Sequence, residues 1–596
     1  MQFLKTFLAS ILGTLTALIL LILIGFGILV SSSSEPEPYV RSNSVLTFTM
    51  SGDIPARTLA DPFQELLNPG MGARLSLQSL KNNLEKAAAD DNIKGIWIKT
   101  NFVSASWANL ESAYTYFEDF KESGKFLYFS TDDIGMNEKS YFLASLADSV
   151  FSPPETGFEF DGFVAQVTFY NDMLDRIGIE PEIFRVGEYK SAVEPYTQME
   201  SSPESEEQLT AILNAASTRF VEAIEARTGK SAEEINDLLS SAPINRLQFA
   251  LDNGLIDAFA YHDEVEAMVK ARVGIEDDDD LETIGFGRYS RVSQSSAGID
   301  TPETSDKIAV IYASGIILPD LGGGPFATET GITAESVREQ LKSALDDDDV
   351  KAIVFHVNSG GGAATTSDLI WHDIRRASEQ KPVIASMGTV AASGGYYIAA
   401  GADTIVAGEN TITGSIGIFN LLFNSQELFN EQLGIAFDTF ETHEYADLFD
   451  LTRPFTTAEE RVIQQNVENG YDTFVTKMAE SRGMSYDEID AVARGRVWTG
   501  VDAYERGLVD VLGGIDLAIE IAAEKAGIES YTLDNYPKQK DVFQELFASG
   551  NAQVHAFMLS FLPEPLKQQE TQNLMKLMKQ PKGSNWALLP IRFDIN

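Results

Sequence analysis

Two long stretches of this chain read as copies of one unit, and each copy has lost a different reactive side chain. Asn92-Ile93-Lys94-Gly95-Ile96-Trp97-Ile98 is echoed by Asp349-Val350-Lys351-Ala352-Ile353-Val354-Phe355. Ser140-Tyr141-Phe142-Leu143-Ala144 pairs with Gly395-Tyr396-Tyr397-Ile398-Ala399, and Ala147-Asp148 with Ala402-Asp403. Near the end of each copy, Arg246 and Gly254-Leu255-Ile256-Asp257 pair with Arg496 and Gly507-Leu508-Val509-Asp510. The pairing holds at an offset of about 255 for most of each half. That is far longer than the roughly 20–50 residues of a solenoid repeat, so two whole domains in tandem are expected.

Each copy alternates strand-like and helix-like segments. Val45 to Met50, closed by Ser51-Gly52, has its counterpart in Ile308 to Tyr312, closed by Ser314-Gly315. A helix-like stretch and a buried-strand run follow in both, Gly95 to Ile98 and Ala352 to Val357. That alternation predicts α/β units. The expected boundaries are residues 1–44 for a membrane anchor and linker, 45–275 for the first repeat and 307–540 for the second. Between the repeats, residues 276–306 read as an acidic and polar linker around Asp277-Asp278-Asp279-Asp280. The tail, 541–596, carries Phe557-Met558-Leu559 and the basic residues Lys576, Lys579 and Lys582. Packing back on the domain and touching a membrane both fit it.

Thr6 to Ser34 contains no charged residue, and its core, Phe7 to Val30, is long enough to span a bilayer as one helix. A cleaved leader would have a shorter apolar core, roughly 7–15 residues. The reading is therefore an uncleaved transmembrane helix. Lys5 precedes it, while Glu35 and Glu37 follow, so the positive-inside bias leaves the large C-terminal part outside the cytoplasm. The formal charge of −45 excludes a nucleic-acid surface and fits a solvating acidic one. With no cysteine, disulfides and thiolate chemistry are excluded. No cofactor motif and no metal-ligand spacing are found.

Three elements could carry chemistry. Lys381 to Gly388 reads as a buried strand, and Gly394 to Ala400 as a helix rich in small residues, which puts Ser393 at the helix start. There a hydroxyl is either a nucleophile beside the free N–H of Gly394 or an ordinary N-cap. The loop Asn358-Ser359-Gly360-Gly361-Gly362 can offer backbone N–H groups to an oxyanion, or be a plain tight turn. Lys190, in Gly187-Glu188-Tyr189-Lys190-Ser191, would by itself be a surface charge. The repeat changes its weight, because the second copy has Ala446 in its place, while the first copy has Glu138 where Ser393 falls. Serine kept in one copy and lysine in the other suggests one active site built from both. A lysine base must be neutral near pH 7, which burial between domains could bring about. Ser415, in Thr413-Gly414-Ser415-Ile416-Gly417, could steady the lysine or simply serve a turn. Of the histidines His262, His356, His372, His443 and His555, none has a nucleophile context, and His356 reads as a core residue.

These motifs in this order resemble the long, duplicated bacterial form of the signal peptide peptidase A (protease IV) family. The resemblance covers nearly the whole chain. It implies two tandem Clp-protease/crotonase-like domains after a transmembrane helix, a serine–lysine dyad and no cofactor. By residue match it implies Ser393 as nucleophile, Lys190 as general base, Ser415 orienting the lysine, and Gly361 and Gly394 as oxyanion donors. It further implies a homotetramer on the bacterial inner membrane, facing the periplasm, whose substrates are remnant signal peptides. Gly360 departs from the family, which usually has proline there, and so does the strong acidity. Two rival readings fit the sequence less well. A crotonase-type acyl-CoA enzyme leaves the anchor and the split serine and lysine unexplained. An inactive membrane scaffold predicts loss of one dyad member, and both are present.

Overall fold

The computed structural model describes residues 13, 36–58, 73–132, 134–241, 247–276, 278–300, 303–320 and 331–538, together with the backbone of 586–588. The apolar Phe7–Val30 run, Arg246 and most of the tail lie outside the described residues. No helix among the described residues is long and apolar enough to cross a membrane.

The fold is α/β, and both copies build the same sheet. In the first, Ser44–Gly52 runs parallel to Ile93–Val103, which is followed by Phe126–Ser130, Ser149–Ser152 and Ala258–Phe259. In the second, Lys307–Ser314 pairs with Val350–Ser359, then Val383–Ala392, Thr404–Ala407 and Val511–Leu512. Val350 to Val357 is buried almost throughout, as expected for a parallel strand covered on both faces. The sequence boundary at 275 falls short of the first fold. Thr283–Gly285 adds an edge strand to Ser44–Gly52, and Phe286, Tyr289 and Val292 are buried in the first core. Their apolar side chains outweigh the charged run before them. Thr532–Tyr536 takes the equivalent edge of the second sheet.

The local devices repeat as well. Leu77–Ala89 is capped reciprocally by Ser76 and Ser79, and Ala334–Asp346 by Thr333 and Ser336. Leu80, Leu84 and Ala87 point inward from the first helix, and Val337, Leu341 and Ala344 from the second, at the spacing of one helical face. The Lys125 amine donates to Ala87 O and Asp90 O; that of Lys381 donates to Ala344 O and Asp347 O. The Tyr141 hydroxyl donates to Leu255 O at 2.6 Å, and the Tyr396 hydroxyl to Leu508 O at 2.9 Å. Arg227 pairs with Asp257, and Arg482 with Asp510. These matches put Glu138, three residues before Tyr141, where Ser393 stands before Tyr396.

The copies are joined by more than the linker. Glu180–Arg185 of the first pairs antiparallel with Phe419–Asn424 of the second, with Arg185 opposite Phe419. Ile412 and Val497 of the second copy are buried in the first core, and Phe184 of the first in the second core. Asp516 accepts from the Lys81 amine at 2.5 Å and from the Tyr116 hydroxyl. The Thr389 hydroxyl donates to Ser106 Oγ at 2.7 Å. Close to this junction, the C-terminal strand Trp586–Leu588 lies antiparallel to Gly361–Ala363 and also meets Phe419.

Candidate active site

Two neighbouring parallel strands end side by side and deliver the two serines. Ala391 lies opposite Thr413 and Ala392 opposite Gly414, so Ser393 and Ser415 emerge together. The Ser393 N–H donates to Gly414 O at 2.8 Å. Both serines adopt a left-handed backbone, with φ of 55° and 51°. A side chain in that region is strained, and such strain persists only where the surroundings hold it. For Ser393 the sharp turn from strand into the Gly394–Ala399 helix presents the hydroxyl beyond the helix start.

Lys190 arrives from the other copy. The antiparallel pair that ends at Arg185 and Phe419 continues as a bond from Val186 N–H to Ile418 O at 3.1 Å. The chain then turns at Gly187, whose φ is 100° and whose backbone presses on Arg494 O. Lys190 Nζ lies 2.8 Å from Ser393 Oγ, 3.0 Å from Ser415 Oγ and 3.0 Å from Ser415 O. All three side chains are 0% exposed. Burial pushes the Lys190 amine well below the usual lysine pKa. A neutral amine, with two N–H donors and one lone pair, has as many bonding positions as there are partners here: Ser415 O, Ser415 Oγ and Ser393 Oγ.

The glycine loop closes on the same point. Gly395 is packed so tightly that a Cβ there would fall 2.1 Å from Ser359 O. Gly394 is buried at the first helical position, where a backbone N–H has no partner within the helix. Gly361 has φ 103° and its N–H donates to Ser359 Oγ at 3.1 Å. The Gly361 donor is thus turned onto Ser359.

In the first copy the corresponding place is filled. Glu138 is buried, accepts from Asp161 N–H at 2.9 Å, and has its pKa raised chiefly by burial. Trp107, Phe142, Phe163 and Phe220 of the same copy pack edge to face with one another. His356 packs in the core with Nδ1 3.2 Å from Ser386 Oγ, and burial pushes its pKa down to about 4. No cluster of His, Asp and Glu among the described residues could hold a metal ion.

Sequence reasoning missed the Arg494-Gly495-Arg496 turn, which lies directly against Lys190. A glycine between two arginines signals a turn, but not the residue it touches.

Residues 119–276 and residues 375–529 each match peptidase family S49. "Serine protease SPPA, chloroplastic" of Arabidopsis thaliana is 36% identical over 83% of this chain and 71% of its own length. "Protease 4" of Salmonella typhi is 31% identical over 82% of this chain and 79% of its own. "Protease 4" of Haemophilus influenzae is 28% identical over 93% and 92%. With two matched domains covering more than half of its length, the chain belongs to peptidase family S49 and is a serine peptidase.

Proposed function

We propose that the chain is a membrane-anchored serine endopeptidase that uses Ser393 and Lys190 as its catalytic dyad. The observation that carries this reading is the 2.8 Å contact between Lys190 Nζ and Ser393 Oγ in a fully buried pocket. Ser393 Oγ attacks the scissile carbonyl carbon while its proton passes to the Lys190 lone pair. The resulting ammonium is held by Ser415 O and Oγ. The Gly394 N–H and the Gly361 N–H, once released from Ser359, stabilise the oxyanion, each by roughly 3–4 kcal/mol. Lys190 then protonates the leaving amine and the peptide bond breaks. Water attacks the acyl-enzyme with Lys190 again as base, freeing the acid and restoring Ser393.

Substrate is read as an extended strand. Supporting this, the C-terminal strand Trp586–Leu588 already runs antiparallel to Gly361–Ala363. Backbone pairing of that kind tolerates many sequences, which suits a degradative peptidase. The apolar Phe7–Val30 run anchors the protein in the bacterial inner membrane with the catalytic part in the periplasm, where cleaved signal peptides and other apolar peptides are its substrates. The active form is a homotetramer.

Labelling with a fluorophosphonate followed by mass spectrometry tests the dyad. The adduct is expected on Ser393, absent in Ser393→Ala and strongly reduced in Lys190→Ala. No adduct on the folded, assembled protein, or an adduct on another serine, would remove the proposal.

A further inference from the structure

Ser415 has a hydroxyl proton of its own, and the direction in which it points decides what Lys190 can do. If it points at Nζ, it occupies the amine lone pair and competes with Ser393. If it points elsewhere, Ser415 Oγ is left as a pure acceptor for a lysine N–H. The Gly495 carbonyl oxygen lies 3.2 Å from Ser415 Oγ and accepts that proton.

Gly495 is fixed where it stands. Arg494 and Gly495 both have left-handed backbones, with φ of 52° and 80°. The Gly495 N–H donates to Ile416 O at 2.8 Å, and the Ser415 N–H donates to Arg496 O at 2.6 Å. From the first copy, the Tyr189 N–H donates to Arg494 O at 3.1 Å. The Arg496 guanidinium reaches Tyr189 Oη at 3.2 Å and Glu207 Oε1 at 2.6 Å. The contact with the lysine itself is tighter still. A Cβ at Gly495 would fall 2.6 Å from both Lys190 Cβ and Lys190 N. A Cβ at Gly417 would fall 2.9 Å from Gly495 Cα and 3.2 Å from Lys190 Cδ. Gly495 packs directly on the lysine stem, and Gly417 packs on Gly495 and on the stem's Cδ.

We infer that the Arg494-Gly495-Arg496 turn is a positioning element for the general base: the Gly495 carbonyl draws the Ser415 proton away from Lys190, so that the amine lone pair faces Ser393. The inference rests on the dyad proposed above. It adds that the polarity of the chain Lys190 → Ser415 → Gly495 is set by a backbone carbonyl on a turn that only glycine can form at this distance. Gly495 touches neither substrate nor the reacting atoms and acts through Ser415 and the Lys190 stem.

Two measurements test it. In Gly495→Ala the added methyl displaces the Lys190 stem, and kcat should fall on the order of 10²-fold, as for other small misplacements of a reacting group. KM should stay within about threefold and the acid limb of the kcat/KM profile should move, because the loss lies in the base rather than in substrate binding. Unchanged kcat, or a KM rise that accounts for the whole loss with the acid limb unmoved, would overturn the inference. Neutron diffraction on the deuterated wild-type protein needs no variant to fold. It should place the Ser415 hydroxyl deuterium toward Gly495 O; a deuterium directed at Lys190 Nζ would overturn the inference. Activity retained in Lys190→Ala would instead remove the dyad itself, so the two failures are distinguishable.

Discussion

The Lys190 amine and the Ser393 hydroxyl are 2.8 Å apart, although 203 residues separate them in sequence. Neither copy of the repeat could form this pair alone. The strand pairing between Glu180–Arg185 and Phe419–Asn424 brings the two ends together, and Gly495 packs directly on the lysine stem. The two copies meet in a buried seam, and burial there holds the Lys190 amine below its ordinary pKa.

Replacing Lys190 with Met should lower kcat on the order of 10⁴-fold, as when one member of a cooperating catalytic pair is removed. It should also change how stability depends on pH. The folded-state pKa of Lys190 is depressed by burial, so the native protein binds fewer protons than the unfolded chain between that pKa and the ordinary lysine value. Wild-type stability relative to Lys190→Met must then rise with pH across that window. Denaturant midpoints of the two proteins, compared at several pH values, check the sign.

Ser415→Ala should cost about 10–100-fold in kcat with little change in KM, the range expected for losing one hydrogen bond to a group that becomes charged. The carbonyl of residue 415 remains, so the lysine keeps one of its two acceptors. Steady-state kinetics on a short peptide are sufficient. An unchanged kcat would show that the Ser415 hydroxyl plays no part in holding the base.

Glu111 provides a separate test of the seam. Its carboxylate accepts from Asn410 Nδ2 at 2.5 Å and from the Asn410 N–H at 3.3 Å, across the junction between copies. Burial raises its pKa to about 7, with Glu409 adding to the rise and Asn410 and Arg219 opposing it. A raised carboxyl pKa means that the folded state binds more protons than the unfolded one, so this contribution to stability is present in acid and is lost as pH rises through about 7. Glu111→Gln should remove that dependence, which is worth about 3 kcal/mol over the whole window. Stability curves of both proteins in acid and in alkali check it. Equal slopes would contradict it.

A chain ending before Trp586 should bind a short extended peptide better. The strand Trp586–Leu588 occupies the backbone groups of Gly361–Ala363, and a tethered segment competes at high effective concentration. KM should fall on the order of tenfold with kcat unchanged. A rise in KM would mean that the strand forms part of the binding wall instead.

Much of this was legible in the sequence. The repeat shows directly in paired motifs, and buried parallel strands announce themselves as continuous apolar runs such as Ala352 to Val357. Ser393 could be singled out because a strand–turn–helix junction has a local signature, whereas Gly361, Gly394 and Ser415 took their specific roles from the family resemblance. Lys190 stood out only through its mismatch with Ala446. Harder to read were features that depend on contacts between distant segments. The packing of Gly495 on Lys190 and the bond from Gly361 to Ser359 follow from backbone paths that no spacing rule encodes. The edge strand Thr283–Gly285 was hidden by its brevity and by the acidic run beside it.

The most direct test follows the rate of Ser393 phosphonylation by a fluorophosphonate from acid to alkaline pH, in the wild type and in Lys190→Met. The wild-type rate should rise through one ionisation well below the ordinary lysine value of about 10.4. The variant should be phosphonylated slowly and without that ionisation. If the ionisation persists unchanged in Lys190→Met, or if the Lys190 amine titrates at its ordinary value, some other group activates Ser393 and the shared site proposed here does not exist.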